Sequence, residues 1–277
     1  MTENFFQFEH DGLVFDVAES GPADGEAVVL LHGFPEAGSS WSNMTPSLAA
    51  GGCRVLAPDQ RGYSPGARPP AQGDYALDRL VADVLSLADN AGLDRFHPVG
   101  HDWGGAVAWA LASKHPDRLR TLAVLSTPHP KALGRSLLRS DQVLRSSYVG
   151  LFRLPVVSER LLLAFDGRVL EQGLRRAGLS AAKAREYTAR MSEPGALTAA
   201  LNWYRANTSS LAIGDVDVPT LYIWSTGDAA LGRRAAELTA DYVKGPYRFE
   251  VLDGVSHWIP EEAPDEAAAL LLSFWRT

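Results

Sequence analysis

Asp102 stands in Pro98-Val99-Gly100-His101-Asp102-Trp103-Gly104-Gly105, after an apolar run that reads as a strand and before one that reads as a helix. So tight a turn strains the backbone of its central residue, at about 1–3 kcal/mol, and small residues must flank it. Gly100, Gly104 and Gly105 meet that need. The pattern is a nucleophile elbow with a carboxylate where serine is usual. A carboxylate attacks a saturated electrophilic carbon and gives an alkyl ester, whereas a serine alkoxide attacks a carbonyl and gives an acyl ester. The turn therefore disfavours esterase and protease chemistry. The bland alternative is an ordinary turn in which Asp102 is the N-cap of the next helix. A phosphate-binding loop fits worse, because the glycines match neither the dinucleotide fingerprint nor a Gly-Lys-Ser/Thr loop.

Partners elsewhere in the chain favour the elbow. His32-Gly33-Phe34-Pro35 follows an apolar strand, where the Phe34 amide can pair with that of Trp103 as an oxyanion hole. Removing one such donor typically costs about 10²–10³ in rate. Asp228 follows the run 220–224, and His257 follows the run 247–252, which gives the chain order nucleophile, acid, histidine. His257 would take a proton from the water that cleaves the ester, with Asp228 fixing its tautomer. An unshifted imidazole titrates near about 6.5, so it can serve as a base at neutral pH. Asp253 is the alternative acid, but it lies so close before His257 that it is expected to face the strand end. His97, His115, His129 and His10 read as structural or exposed, and His101 as a packing neighbour of the nucleophile. No histidine pair has helical metal spacing.

These residues need a scaffold. Apolar residues alternate on both sides of Asp11-Gly12, which predicts an antiparallel hairpin. Continuous apolar runs at 27–31, 54–57, 96–99, 121–125 and 220–224 predict strands buried on both faces. Helices are expected at 77–91 and 103–114 between them, and at 260–274 to close the chain. Strand and helix alternating in this way predict a parallel sheet with helices on both faces. Between residues 128 and 215 the strand signals vanish, and short helices broken by Pro and Gly are expected. Residues 129–213 carry 13 basic and 6 acidic side chains, +7, leaving −14 for the rest. Solvated helix faces explain this balance, and it would also help a basic lid associate with an acidic body.

The whole chain of 277 residues has net charge −7, which argues against a polyanionic partner. With 46% hydrophobic and 21% charged residues it can bury a core, which excludes disorder. The single cysteine, Cys53, forms no intramolecular disulfide and no cysteine-built metal site. The acidic N-terminal stretch lacks the basic start and apolar run of a signal peptide, so a cytoplasmic protein is expected.

Together, His32-Gly33-Phe34-Pro35-Glu36, Asp59-Gln60-Arg61-Gly62-Tyr63-Ser64 and the Asp-Trp elbow resemble the soluble epoxide hydrolase family of α/β-hydrolases over nearly the whole chain. The resemblance implies a mostly parallel eight-stranded sheet flanked by helices, with an inserted α-helical cap. Residues 1–128 and 214–277 would form the core and 129–213 the cap. It also implies two cap tyrosines that hold and protonate the epoxide oxygen. Tyr148-Val149-Gly150-Leu151-Phe152-Arg153-Leu154-Pro155 resembles one family pattern, with Arg153 in place of its glutamine, and Leu201-Asn202-Trp203-Tyr204-Arg205 matches the other.

The expected catalytic set is Asp102, His257, Asp228, Tyr148 and Tyr204, with Phe34 and Trp103 as oxyanion donors. His32, Gly33, Pro35, Trp103, Trp203 and Trp258 are expected to wall the substrate pocket. No cofactor and no metal are expected. The partners would be a small-molecule epoxide and water, with no nucleic acid and no membrane, in a monomer or homodimer. Haloalkane dehalogenases share the Asp-Trp elbow and remain an alternative, although Phe34 fills a loop position where many of them have asparagine. The fluoroacetate-type variant has Asp-Arg at the elbow. A non-catalytic protein that binds a small molecule is the remaining reading.

Overall fold

The computed structural model describes residues 4–137, 140, 142–207 and 213–276. Eight strands form one sheet in the order β1-β2-β4-β3-β5-β6-β7-β8. They are β1 (Asn4–His10), β2 (Leu13–Ser20), β3 (Glu26–Leu31), β4 (Cys53–Pro58), β5 (His97–His101), β6 (Leu122–Leu125), β7 (Thr220–Ser225) and β8 (Tyr247–Leu252). Only β2 runs against its neighbours, and every other pairing is parallel. At the hairpin tip Asp11 and Gly12 both have positive φ, 52° and 71°, the conformation a two-residue type I′ turn requires.

The helices are α1 (Thr45–Ala50), α2 (Leu77–Asn90), α3 (Trp103–Lys114), α4 (Pro130–Leu137), α5 (Gln142–Arg145), α6 (Ser147–Phe152), α7 (Val157–Leu162), α8 (Arg168–Arg176), α9 (Ala181–Met191), α10 (Ala196–Ala206), α11 (Arg233–Leu238), α12 (Ile259–Glu262) and α13 (Pro264–Trp275). Alternate strand residues enter two cores, as the pleat dictates. Val29, Leu31 and Val124 pack with α2 and α3, while Val28, Leu30 and Val99 pack with α1 and α13. Every described segment between β6 and β7 that is regular is helical, as the missing strand signals implied. Residues 208–212, at the end of the expected cap, lie outside the described residues.

Most expected boundaries move by one or two residues, and two of the differences have a visible cause or consequence. The closing helix is two helices, because Pro264 keeps Ala263 out of the helical region, at φ −131°. Phe96 stays outside β5 and makes only an isolated bridge to Leu119.

Candidate active site

Strand register assembles the site. Leu31 of β3 pairs with Gly100 of β5, so loop 32–36 and the turn at Asp102 emerge side by side. Ser225 of β7 pairs with Leu252 of β8, so the loops bearing Asp228 and His257 also emerge together. Asp102 has φ 48° and ψ −119°, a strained conformation immediately before α3. The close packing that holds it there leaves no room for side chains beside it. A Cβ at Gly33 would lie 2.3 Å from that of Asp102, and one at Gly104 would lie 2.0 Å from the carbonyl oxygen of Leu31.

The Phe34 amide donates to Asp102 Oδ1 at 2.9 Å. Trp103 is the first residue of α3, so its amide is one of the N–H groups a helix start leaves without an intrahelical acceptor. His257 Nε2 lies 3.5 Å from Asp102 Oδ2, and its Nδ1 is 2.8 Å from Asp228 Oδ2. Asp228 Oδ1 accepts the amides of Ala230 and Leu231 at 2.8 and 2.9 Å, which fixes the carboxylate. Burial alone would depress the His257 pKa, but the charges of Asp228 and Asp102 outweigh it and raise it well above the ordinary value. Burial pushes the Asp102 carboxyl up, and its contact with His257 more than reverses this, leaving it below the usual range. Both shifts favour the charged forms, imidazolium beside carboxylate. Asp253 is elsewhere: it is exposed and accepts from the Thr226 hydroxyl at 2.8 Å.

A cavity of about 460 Å³ opens over Asp102 and His257. That is the size of a small-molecule site. Phe34, Leu151, Phe152, Leu170, Leu174 and Trp258 make it apolar, and Tyr148, Tyr204, Arg145 and Arg176 bring polar groups to its wall. Tyr204 is buried and packs edge-on against Phe34, Trp103 and Phe152, with centroids 5.5, 5.0 and 5.1 Å away. Burial, then the Asp102 charge, raises both phenol pKa values, so both hydroxyls remain donors.

The α/β hydrolase fold family matches residues 26–264. The AB hydrolase superfamily protein YfhM of Bacillus subtilis is 38% identical, over 95% of both chains. Epoxide hydrolase A of Mycobacterium tuberculosis is 34% identical, covering 95% of this chain and 94% of that one. The crystal structure of epoxide hydrolase A from Mycobacterium thermoresistibile superposes with a TM-score of 0.85 at 30% identity, covering 99% and 98%. The chain belongs to the epoxide hydrolase family of α/β-hydrolases.

In this hydrolase the expected pocket wall divides. Trp258 lines the cavity, as does the expected oxyanion donor Phe34, while His32, Gly33, Pro35, Trp103 and Trp203 are not among its lining residues. His32 is buried behind the loop, where its Nε2 accepts the Gln60 amide at 3.1 Å. The Trp203 indole N–H is committed to the Arg61 carbonyl at 2.9 Å, and that of Trp258 to the Ala177 carbonyl at 3.1 Å. Trp103 reaches the site through its ring contact with Tyr204. Arg153 Nε donates to the Tyr204 carbonyl at 3.2 Å, so it ties one tyrosine's helix to the other's.

The sequence reading missed two contributors to this hydrolase site. Glu36 forms a buried chain behind Asp102 with His101, which the sequence placed there as a packing neighbour, and Arg176 stands in the cavity wall. Glu36 sits within the quoted His-Gly-Phe-Pro-Glu motif, so the signal was present. Arg176 gives none, because an arginine on a short helix reads as a solvated face.

Proposed function

We propose that this enzyme hydrolyses epoxides to vicinal diols through a covalent ester on Asp102. Residues 129–213 act as the cap and the remainder as the core. Oδ1 of Asp102, held by the Phe34 amide, becomes the ester carbonyl, and Oδ2 attacks an epoxide carbon. The carbon–oxygen bond of the ring breaks, and Tyr148 and Tyr204 hydrogen-bond the departing oxygen and supply its proton. Esterification removes the Asp102 charge, so His257 loses one of the two anions that hold its proton. The imidazolium passes that proton to the tyrosinate left by ring opening, and the neutral imidazole then takes a proton from water, whose oxygen attacks the Asp102 carbonyl carbon. The negative charge on Oδ1 is met by the Phe34 and Trp103 amides. Collapse breaks the ester bond to the substrate oxygen, which takes the proton of the acid just formed, so that the diol leaves and the carboxylate is restored beside the imidazolium.

One observation carries this reading: a carboxylate rather than a hydroxyl occupies the strained turn, beneath a cavity whose wall contains two phenols. Those donors suit an alkoxide, a poor leaving group unless it is protonated. A dehalogenase would need weak N–H donors for halide, and the indoles of Trp203 and Trp258 are already bonded to carbonyls.

A single turnover of styrene oxide in ¹⁸O-water tests the route. The label is expected in the Asp102 carboxylate and absent from the first diol. Label appearing directly in that diol would mean that water attacks the ring. Halide release from alkyl halides without diol from styrene oxide would reassign the enzyme as a haloalkane dehalogenase.

A further inference from the structure

Behind the nucleophile lies a buried acid chain that the reaction above does not use. Glu36 is fully buried, and its Oε2 accepts the Gly33 amide at 2.7 Å and faces His101 Nδ1 at 2.9 Å. His101 Nε2 donates to the carbonyl of His257 at 2.9 Å. The next link is a second acid. Glu261 of α12 lies beside Glu36, and its Oε1 accepts the Tyr187 hydroxyl of α9 at 2.6 Å. Glu36 Oε1 and Glu261 Oε2 are shut from solvent, and neither has a hydrogen-bond donor among the described residues. Carboxylate oxygens only accept, so this contact needs a proton between them. Without it, two adjacent buried anions would repel.

We propose that Glu261 is a positioning residue which, as a neutral acid, donates to Glu36 and thereby fixes the active-site loops. Glu36 in turn holds the Gly33 amide beside the oxyanion donor Phe34, and through His101 it holds the backbone of the base. This role rests on the reading of Asp102 and His257 given above. The groups facing Glu261 support the assignment. From α9 they are Tyr187 and Lys183, and Lys183 is itself engaged by Glu186 at 3.0 Å. From loop 32–36 there is Glu36, with His101 and His32 behind it. On its own helix Glu262 is turned away, to the amide and hydroxyl of Ser256. Burial, then the Glu36 charge, pushes the Glu261 carboxyl well above the usual range. Tyr187 links α9, in the helices between β6 and β7, to this chain.

Glu261→Gln tests the role, since an amide can donate to Glu36 and accept from Tyr187 without titrating. A carboxyl whose pKa is raised on folding favours the folded state fully below its unfolded value, and that contribution is lost as pH rises toward its folded value. Thermal unfolding of the full chain from pH 5 to 9 should therefore show E261Q gaining stability over the wild type progressively with pH. Turnover of styrene oxide by E261Q should persist at alkaline pH where the wild type declines. Glu261→Ala, which leaves Glu36 unpaired, should lose about 5- to 100-fold in kcat. A pH-independent stability difference, or superimposable pH profiles for kcat, overturns the proposal. The unfolding arm requires no activity, so it reads Glu261 even if the epoxide reading fails.

Discussion

The floor and the roof of the cavity are built by different rules. On the floor Asp102, Asp228 and His257 follow strand ends whose register leaves little freedom, and glycines at 33 and 104 admit no added carbon. Asp228 has partners for both oxygens, and the His257 backbone is held by His101 and by the Ser126 hydroxyl at 2.9 Å. The roof is helices of four to eleven residues. Within it the two tyrosines differ: Tyr204 is 4% exposed and caged by three aromatic rings, whereas Tyr148 is 37% exposed and has one aromatic ring, Phe152, against it among the described residues. In the proposed reaction the groups that form and break the ester must keep one geometry, which a parallel sheet supplies. Groups that meet a substrate of variable shape can tolerate a softer mount.

The largest test of this contrast is on the floor. Asp102→Ala should lower turnover by about 10⁴ or more, because Asp102 is the only carboxylate among the described residues lining the cavity. His257→Gln should spare ring opening and stop hydrolysis, so that intact-protein mass spectrometry finds the enzyme plus one substrate. Absence of that adduct would end the assignment of His257 as base. Asp228→Asn should cost about 10³–10⁴ through the wrong imidazole tautomer. The pH dependence sharpens the point. Two anions raise His257 in the resting enzyme and only one remains in the ester, so the acid limb of kcat should lie below the imidazole titration of free enzyme followed by NMR.

The floor was also the part the sequence made legible. The elbow, the chain order of nucleophile, acid and histidine, and the strand runs are all local patterns, and burial on both faces writes them as continuous apolar stretches. Trp203 shows where that legibility stops. Its motif marks the right helix, but whether the indole turns into the cavity or back to the Arg61 carbonyl depends on how α10 is rotated against the body. The Glu36–Glu261 contact was illegible for a related reason. It joins residues 225 apart in number, and two glutamates in separate loops carry no sign that they meet.

On the roof smaller and unequal effects are expected. Tyr204→Phe should slow ring opening by about 10²–10³, the range for losing one donor to a developing oxyanion. Tyr148→Phe should cost less, about tenfold, because its softer mount lets water substitute for the hydroxyl. Single-turnover rates of ester formation separate this from any change in hydrolysis. Equal losses for the two variants would break the distinction between caged and exposed phenols. A double variant retaining ester formation would remove both from the reaction.

The smallest effect should come from Asp253→Asn. Asp253 lies four residues before His257, near enough in sequence to compete with Asp228, yet its carboxylate is exposed and bonded to Thr226 Oγ1, which also accepts the Gly254 amide at 2.8 Å. It fastens a surface turn. Removing its charge should change stability by no more than about 0.5 kcal/mol, as for most surface substitutions, and leave kcat unchanged. Thermal melts and steady-state rates on epoxide check both expectations. A loss of hydrolysis approaching that of Asp228→Asn would mean that the acid on the floor is not fixed by the register of β7 and β8, and the contrast between a rigid floor and an adaptable roof would fail at its strongest point.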